Sequence, residues 1–315
     1  MDFKSAAHFL RGRDDFLLIT HDRPDGDTIG SAAALCRGLR QLGKKAYMLY
    51  NPGLLSYCAP CAEGLYADTG FVPETLVAVD IADTKLFFEE AGKYEDCIDL
   101  CIDHHPSNTG YAKNTLLSPA SAAVGEIIFV LLGELGVKID RQIAEAIYIA
   151  IVTDTGCFAF SNTSPETHRI TAELMETGID AAYFNKVIFR TKTKAKIEIE
   201  RTMYENLEYF REGRVAVSSL NAEQIESFGA SGIDVDGISS LPIDIEGVRV
   251  GITIRQENGG CKISLRSSEE VDASKVCRAL GGGGHARAAG CFVEGDLKAA
   301  RDLVLKALFE GFPDV

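Results

Sequence analysis

Short hydrophobic runs recur through the first half of the chain, and each one ends abruptly at a polar or charged residue. Such runs are typical of buried strands, whereas apolar positions three or four residues apart indicate helices. The runs predict strands at 16–20, 46–50, 76–79 and 97–102, and the helical spacing predicts helices at 5–13, 29–42, 122–135 and 141–153. Because strands that alternate with helices form βαβ units, we expect an α/β fold with a mostly parallel sheet of the five-stranded type, flanked by helices.

The pattern changes in the second half of the chain. Helices are predicted at 166–177 and 181–189, and a charged stretch at 190–196 leads into a connecting helix that reaches residue 210. Strand patterns follow at 215–220, 248–255 and 261–266, and helical ones at 273–280 and 296–309. Glu257-Asn258-Gly259-Gly260 is a hairpin-turn sequence between two of these strands.

This change of pattern divides the chain into domains. We predict a catalytic domain at 1–190, a connecting helix at 191–212 and a smaller C-terminal α/β domain at 213–315, with a cleft between the two domains. Apolar helix faces such as 127–135 can pack inside their own domain or against a second copy, so a homodimer remains open.

Composition narrows the class of protein. The 315 residues are 46% hydrophobic and 25% charged, as in an ordinary folded protein, and the net charge is −14. This acidic balance argues against a protein that binds long duplex nucleic acid, but it leaves room for a small anionic substrate. The sequence shows no signal peptide and no apolar run of the roughly 20 residues that span a bilayer, so we expect a cytoplasmic protein without a membrane segment.

The nine cysteines are an odd number without a regular framework, which indicates reduced thiols. Cys58 and Cys61 have the C-x-x-C spacing of a redox pair or of half a zinc site. No second C-x-x-C accompanies them, so we favour the interpretation that they are loop cysteines beside a proline.

Candidate metal ligands stand at the ends of four of the predicted elements. They are His21, Asp25, Asp27, Asp80, Asp83, Asp103, His104, His105 and Asp154. Ligands of α/β proteins bind beyond the carboxyl ends of the strands, and carboxylates gathered there repel one another unless cations are present. A set of aspartates and histidines without cysteine favours manganese, magnesium or iron, and two ions roughly 3.5–4 Å apart would suit displacement at phosphorus.

Some of these residues have a second interpretation. Asp27 or Asp154 taken alone is more often a helix cap, and Asp83 could simply cap the next helix. Asp103 is either a ligand or an acceptor that orients a histidine ring. Four separate caps are a poor explanation for the joint pattern, which predicts a metal centre.

The same motifs resemble those of the DHH phosphoesterase superfamily. They are His21-Asp22-Arg23-Pro24-Asp25-Gly26-Asp27, Val79-Asp80-Ile81-Ala82-Asp83, Asp103-His104-His105 and Thr153-Asp154-Thr155-Gly156. The resemblance implies one Mn²⁺ on His21, Asp25 and Asp80 and a second on Asp27, Asp80, His104 and Asp154, with Mg²⁺ or Co²⁺ as other possible metals. It also implies that His105 lies beside the scissile phosphate, and we assign His105 and Asp103 to catalysis.

Gly281-Gly282-Gly283-Gly284-His285 is the second informative motif, and it resembles the glycine-rich motif of the DHH-associated domain. Consecutive glycine N–H groups can form a nest for an anion, and Arg266 at the end of the preceding strand would add positive charge. A flexible turn and a surface arginine are the alternative interpretations. The resemblance implies substrate binding by Arg266, Gly283, Gly284 and His285, and we add Asn108 and Ser121 as weaker candidates.

Length and domain order resemble those of the stand-alone nanoRNase and pAp-phosphatase group. This resemblance implies a Mn²⁺-dependent hydrolase of short RNA and 3′-phosphoadenosine 5′-phosphate (pAp). The alternatives are a phosphodiesterase for cyclic or linear dinucleotides (cyclic di-AMP or pApA) and a metal-dependent nucleotide sensor without turnover.

Overall fold

We describe a computed structural model of the chain, which covers residues 1–230, 232–235, 237–268 and 270–315. The chain divides into two units, Met1–Thr191 and Lys192–Val315. Each unit has its own hydrophobic core.

The N-terminal unit contains one five-stranded parallel sheet. Its strands are β1 (Phe16–Ile19), β2 (Ala46–Met48), β3 (Thr75–Val79), β4 (Leu100–Asp103) and β5 (Thr115–Leu117). They lie in the order β2-β1-β3-β4-β5, and every neighbouring pair is parallel. The predicted α/β class and parallel sheet are therefore confirmed. In this order the connections reverse direction between β1 and β3, which is where open α/β sheets bind ligands.

Helices cover this sheet. They are α1 (Phe3–Arg11), α2 (Gly26–Gln41), α3 (Ala59–Ala62), α4 (Glu89–Gly92), α5 (Val124–Glu134), α6 (Arg141–Asp154), α7 (Pro165–Glu176) and α8 (Ala181–Asn185). Short 3₁₀ turns lie at Thr84–Leu86 and Glu95–Cys97, and a π-helical turn follows α8 at Lys186–Arg190. None of the helices in the described part of the chain is long and apolar enough to cross a membrane.

Close packing of α2 against α6 depends on glycine. A Cβ atom on Gly30 would clash with the backbone oxygen of Ala146, and one on Gly26 would clash with the side chain of Thr153. The two helices can therefore approach at backbone distance, with the start of α2 beside the end of α6. This packing brings Asp154, the last residue of α6, close to Asp27 in the first turn of α2.

The C-terminal unit contains a mixed sheet of six strands. They are β6 (Glu208–Phe210), β7 (Val215–Leu220), β8 (Val250–Glu257), β9 (Gly260–Ser267), β10 (Gly283–Gly284) and β11 (Ala288–Glu294), in the order β10-β11-β9-β8-β7-β6. Only β7 and β8 pair in parallel among these described strands. The helices are α9 (Lys194–Glu205), α10 (Ala222–Ser227), α11 (Ala273–Ala279) and α12 (Leu297–Gly311), with 3₁₀ turns at Gly232–Val235 and Ile238–Ser240.

Several elements differ from the sequence prediction. The connecting helix ends at Glu205, not at residue 210, because Glu208–Phe210 pairs with β7 instead. The predicted hairpin turn is present, since Glu257 and Gly260 form the last pair of β8 and β9. Strands β5, β10 and β11 were not predicted. β5 and β10 are very short. The two alanines and the glycine that begin β11 have little strand preference of their own, so pairing with β9 decides their conformation.

We predict that Gly30→Ala destabilises the chain by about 1–3 kcal/mol, because the added methyl group would overpack the contact between α2 and α6. Urea unfolding followed by circular dichroism measures this change. Gly133→Ala on α5 is the matched control, because a Cβ atom added at Gly133 would meet no neighbouring atom. We expect this control to be neutral or to stabilise by about 0.5–1 kcal/mol. Equal effects of the two substitutions would contradict the packing argument.

Candidate metal centre

All six predicted metal ligands lie together at the carboxyl edge of the parallel sheet. His21, Asp25 and Asp27 follow β1, Asp80 follows β3, and His104 follows β4, while α6 supplies Asp154 from its last turn. Their ligand atoms fall into three groups, each with all atoms within 4.8 Å of one another. The groups are His21–Asp25–Asp80, Asp27–His104–Asp154 and Asp80–His104–His105. The assignment of these side chains to particular ions remains a prediction.

Two histidine rings point their Nε2 atoms at the carboxylates. His21 Nε2 lies 3.8 Å from Asp25 Oδ1 and 3.6 Å from Asp80 Oδ2. His104 Nε2 lies 3.6 Å from Asp154 Oδ2 and 3.8 Å from Asp80 Oδ1. These separations are longer than hydrogen bonds, and they suit side chains that converge on a shared cation between them.

Asp80 is the centre of the arrangement. It is 4% exposed, and among the described residues its Oδ1 atom has no hydrogen-bond partner. The residue has a φ of 61°, in the left-handed region that aspartate and asparagine tolerate better than most residues. A buried carboxylate oxygen without a partner is unfavourable unless a cation balances it. The side chains present therefore fit a metal centre.

The pKa values of the carboxylates also show that burying their negative charges together is unfavourable. Burial raises the pKa of Asp27 well above its ordinary value, and the charges of Asp80 and Asp154 add to this shift. Burial likewise raises the pKa of Asp80, and it raises that of Asp154 to about 6. In each case the buried negative charge is disfavoured in the metal-free protein, and a divalent cation would relieve it.

His21 and Asp25 shift in the opposite sense to these carboxylates. Burial opposes the charged form of His21, but the nearby carboxylates of Asp25 and Asp80 outweigh it and raise the His21 pKa to about 11. Burial also opposes the charge on Asp25, and the nearby His21 ring outweighs it and lowers the Asp25 pKa. In the metal-free protein a proton on His21 therefore takes part of the role of a cation.

Asp25 and Asp27 both cap helices, but not the same one. Asp25 Oδ1 accepts from the backbone N–H groups of Asp27 and Thr28 and so caps α2. Asp27 instead accepts from the first two N–H groups of α5, at 2.7 and 3.0 Å, and from the Ser31 hydroxyl at 2.9 Å. The cap residue of α5 itself is Ala123, which has no side-chain acceptor. Asp27 thus supplies from α2 the cap that α5 lacks.

Asp103 positions the neighbouring histidine. Its Oδ1 atom lies 2.8 Å from His105 Nδ1, and this hydrogen bond raises the pKa of His105. The Asn108 amide donates to Asp103 Oδ2 at 2.6 Å. His105 is 45% exposed at its side chain, whereas Asp103 is fully buried. The structure therefore places Asp103 as an acceptor that orients a histidine ring, and it places Asn108 as a support for Asp103.

Two further sequence candidates take supporting positions. The backbone oxygen of Ser121 lies 3.1 Å from His104 Nδ1, and the Ser121 hydroxyl bonds to that of Ser118 at 3.0 Å. Asp83 accepts from the N–H of Lys85 at 2.9 Å and caps the 3₁₀ turn that follows β3. Asp83 belongs to none of the three ligand groups in the described residues.

Asn51 is a site residue that the sequence analysis missed. It is 2% exposed, and its amide donates to the backbone oxygen of His21 at 2.8 Å and to the Thr20 hydroxyl at 3.1 Å. Its own oxygen accepts from Gly53. Asn51 therefore fixes the loop that carries His21. Its position just after β2, beside β1 in the sheet, is the signal that could have identified it.

The predicted substrate residues of the C-terminal unit lie on β9, on β10 and on the turn after β10, and β11 separates the two strands in the sheet. Arg266 on β9 is half-buried, pairs in register with Ala288 and donates to the Ser239 hydroxyl at 3.0 Å. Gly283 and Gly284 pair with β11, and Gly284 has a φ of 134°. His285 is exposed at the turn between these strands, where its backbone N–H donates to Ala288.

The cysteines carry no sign of a second metal site. All nine are free thiols. Cys58 at the N-cap of α3 and Cys61 within that helix are both buried. Burial raises the pKa of Cys61 to about 12, and its thiol donates to the Cys58 backbone oxygen at 2.9 Å. Neither of them joins a ligand group in the described part of the chain. The structure is consistent with inert thiols. The prediction of loop cysteines is wrong, because Cys58 is the N-cap of α3 and Cys61 lies within it.

Both units of the chain match known domain families. Residues 15–151 match the DHH family, N-terminal domain, and residues 212–310 match the DHHA1 domain. A parallel sheet with the His/Asp cluster at its carboxyl edge, followed by a DHHA1 domain, defines a hydrolase of phosphoric esters.

Individual relatives agree with this class. The bifunctional oligoribonuclease and PAP phosphatase NrnA of Thermus thermophilus is 33% identical over 299 residues, which are 93% of this chain and 89% of that protein. The chain belongs to the DHH family.

Solved structures share the fold. An exopolyphosphatase-related protein from Bacteroides fragilis superimposes with a TM-score of 0.89 at 23% identity, over 99% of this chain and 96% of that one. RecJ from Thermus thermophilus in complex with Mn²⁺ has a TM-score of 0.57 at 14% identity, over 99% of this chain and 55% of that one.

We predict that Asp80→Asn has opposite effects with and without metal. Because the raised pKa of Asp80 means that its charge destabilises the metal-free fold near neutral pH, the neutral amide should raise the thermal midpoint in EDTA by a few degrees. The same change should abolish the stabilisation of about 2.7 kcal/mol that saturating Mn²⁺ at 100 times its Kd would give. Differential scanning calorimetry with EDTA and with MnCl₂ measures both effects.

Asp83→Asn is the control for this prediction, because the asparagine oxygen can still cap the 3₁₀ turn. We expect this control to behave like the unmodified chain under both conditions. A metal-dependent shift that survives in Asp80→Asn would rule out Asp80 as a ligand.

Proposed function

We propose that this protein is a Mn²⁺-dependent phosphoesterase that hydrolyses short oligoribonucleotides and pAp. The observation that carries the proposal is the convergence of His21, Asp25, Asp27, Asp80, His104 and Asp154 at one edge of the sheet. The similarity to the Thermus oligoribonuclease and PAP phosphatase, over nearly the whole chain, supports this substrate class.

Two ions would be held by these six side chains, with Asp80 shared between them. Asp80 can bridge because it belongs to two of the three ligand groups. Bound Mn²⁺, or Mg²⁺ or Co²⁺ in its place, would lower the pKa of a bound water and neutralise charge on the phosphoryl oxygens. The protein contributes the rigid positions of the ligands, which hydrogen bonds from Asn51 and Ser31 support.

His105 is the proposed contact to the scissile phosphate. Asp103 holds its Nδ1 atom, and Asn108 in turn holds Asp103, so the ring has a fixed orientation. The exposed part of the ring then presents Nε2, which donates to a phosphoryl oxygen as negative charge develops there. In this proposal Asp103 and Asn108 act through His105 and do not touch the substrate.

The C-terminal unit is proposed to bind the terminal phosphate of the substrate. Arg266 offers a guanidinium that is half-buried, and burial lowers its pKa, so an anion would compensate its cost. Gly283 and Gly284 leave their backbone unobstructed by side chains, and the exposed His285 lies next to them. The net charge of −14 disfavours long nucleic acid.

A Mn²⁺-dependent assay on a substrate panel tests the proposal. The panel contains pAp, pApA, cyclic di-AMP, pyrophosphate and RNA of two to about 24 nucleotides, with the rates measured by chromatography of the products. We expect cleavage of pAp and of the shortest RNAs, and a loss of at least ~100-fold in Asp80→Ala and His104→Ala, because either change removes charge stabilisation in the transition state.

The other outcomes of this assay assign the protein differently. Activity confined to cyclic di-AMP or pApA would identify a dinucleotide phosphodiesterase. Nucleotide binding without any turnover would identify a sensor and refute the catalytic proposal.

We predict that Arg266→Ala raises KM for pAp by about 10- to 100-fold, because charged hydrogen bonds contribute roughly 1.5–3 kcal/mol. The turnover number should change little, since the proposed contact is to the terminal phosphate and not to the phosphate that reacts. Steady-state kinetics of phosphate release measure both constants. Arg278→Ala on α11 is the matched control, because Arg278 is exposed and lies outside the proposed subsite. A fall in kcat at constant KM would contradict the assigned role.

A further inference from the structure

One short segment contacts two members of the ligand group Asp27–His104–Asp154 directly. We call residues 121–125, which run into the start of α5, the entry segment. At its beginning, the Ser121 backbone oxygen lies 3.1 Å from His104 Nδ1. At its end, two consecutive backbone N–H groups donate to the two carboxylate oxygens of Asp27, at 2.7 and 3.0 Å. A displacement of the entry segment would therefore move both side chains.

Asn162 connects the third member of the group to the same segment. Its side-chain amide donates to the backbone oxygen of Ala122 at 3.1 Å and to the backbone oxygen of Asp154 at 3.0 Å. Asp154 is thus tied at its main chain to the middle of the entry segment. Two ligands of the group contact this piece of backbone directly, and the third is linked to it through Asn162, although they come from α2, β4 and α6.

Glu126 fixes the entry segment from inside the protein. Its Oε2 atom accepts from the backbone N–H of Ala122 at 2.9 Å. The residue is only 5% exposed, and its Oε1 atom has no hydrogen-bond partner among the described residues. A buried carboxylate with one oxygen unpaired is unfavourable for folding, and an apolar side chain would fill the same space without this penalty.

The position of Glu126 in its helix supports a special role. It is the third residue of α5, where a glutamate commonly reaches back to the N–H of the cap residue. Here it reaches one residue further, to Ala122, while the first two N–H groups of the helix go to Asp27. Glu126 therefore holds the entry segment in place, and the entry segment directs the first N–H groups of α5 at Asp27.

We propose that Glu126 is a positioning residue of the metal centre, which sets the relative positions of Asp27, His104 and Asp154 through the entry segment, with Asn162 as the second anchor. The Ser121 contact fixes the His104 ring so that Nε2 faces the other ligands, and the helix end orients the Asp27 carboxylate. The inference rests on the metal centre of the proposed function and adds a residue that never touches the ions.

Direct measurement of Mn²⁺ binding tests this role independently of turnover. Isothermal titration calorimetry uses the full chain, stripped with EDTA and dialysed, and titrated with MnCl₂. Glu126→Ala should weaken Mn²⁺ binding by about 10- to 100-fold, the usual effect of losing a residue that orients a ligand. Glu126→Gln keeps an acceptor oxygen for the Ala122 N–H, and it should retain the affinity within about threefold.

Glu134→Ala is the matched control on the same helix. Glu134 is the last residue of α5 and is exposed, so its loss removes a similar charge without touching the entry segment. We expect no change in Mn²⁺ affinity. At saturating Mn²⁺, KM for pAp should also stay within about twofold of its normal value in Glu126→Ala, because the proposed substrate contacts are untouched.

Asn162→Ala keeps the test decisive if Glu126→Ala fails to unfold cooperatively on heating. It removes the bond between the entry segment and Asp154 from outside the helix, and it should weaken Mn²⁺ binding by about tenfold. Normal Mn²⁺ affinity in a folded Glu126→Ala variant would overturn the inference. If Glu126→Ala does not fold, normal Mn²⁺ affinity in Asn162→Ala would overturn it. An unmodified chain that binds no Mn²⁺ would instead overturn the proposed function as well, so the two failures are distinguishable.

Discussion

Repulsion between carboxylates that the fold buries at one edge of a sheet is the constraint around which the N-terminal unit is built. Asp27 and Asp80 are almost fully buried, and Asp154 lies close enough to share ligand groups with other members of the site. A fold gains nothing from such crowding in the absence of a cation. The hydrogen bonds around the site, to Asn51, Ser31 and the start of α5, hold the side chains in place against this repulsion.

The backbone geometry that makes this crowding possible is simple. Parallel strands end at the same edge, and between β1 and β3 the connections that follow the strands leave in opposite directions, which opens a crevice at that edge. Asp80 turns into that crevice through a left-handed backbone conformation. Glycines on α2 allow α6 to approach closely. In this way Asp154 joins the site, although α6 does not directly follow a strand of this sheet. The same close contact therefore packs the two helices and brings Asp154 to the edge of the sheet.

The C-terminal unit uses a different principle. Its sheet is mostly antiparallel, and the predicted phosphate-binding residues lie on β9, on β10 at the other side of β11, and on the turn between β10 and β11. Several backbone N–H groups of the glycine-rich motif are already used inside the unit, including those of Gly282 and His285. The motif is thus an ordered turn and strand with little side-chain cover, a rigid surface and not a loose loop.

The sequence by itself predicted the parallel sheet and all six side chains at its edge. Connection to a buried strand accounts for five of them, whereas Asp154 reaches the edge through the packing of α6 against α2. For Asp103 it left two roles open, a metal ligand or an acceptor that orients a histidine ring, and only the structure shows the bond between Asp103 and His105. Tertiary structure decided the rest. The capping of α5 by Asp27 from α2, and the contacts of Glu126 and Asn162 with the entry segment, depend on how the helices pack. Residues 208–210 were predicted as helix but form strand β6, because they pair with the edge of β7. The local sequence of 208–210 does not indicate this pairing.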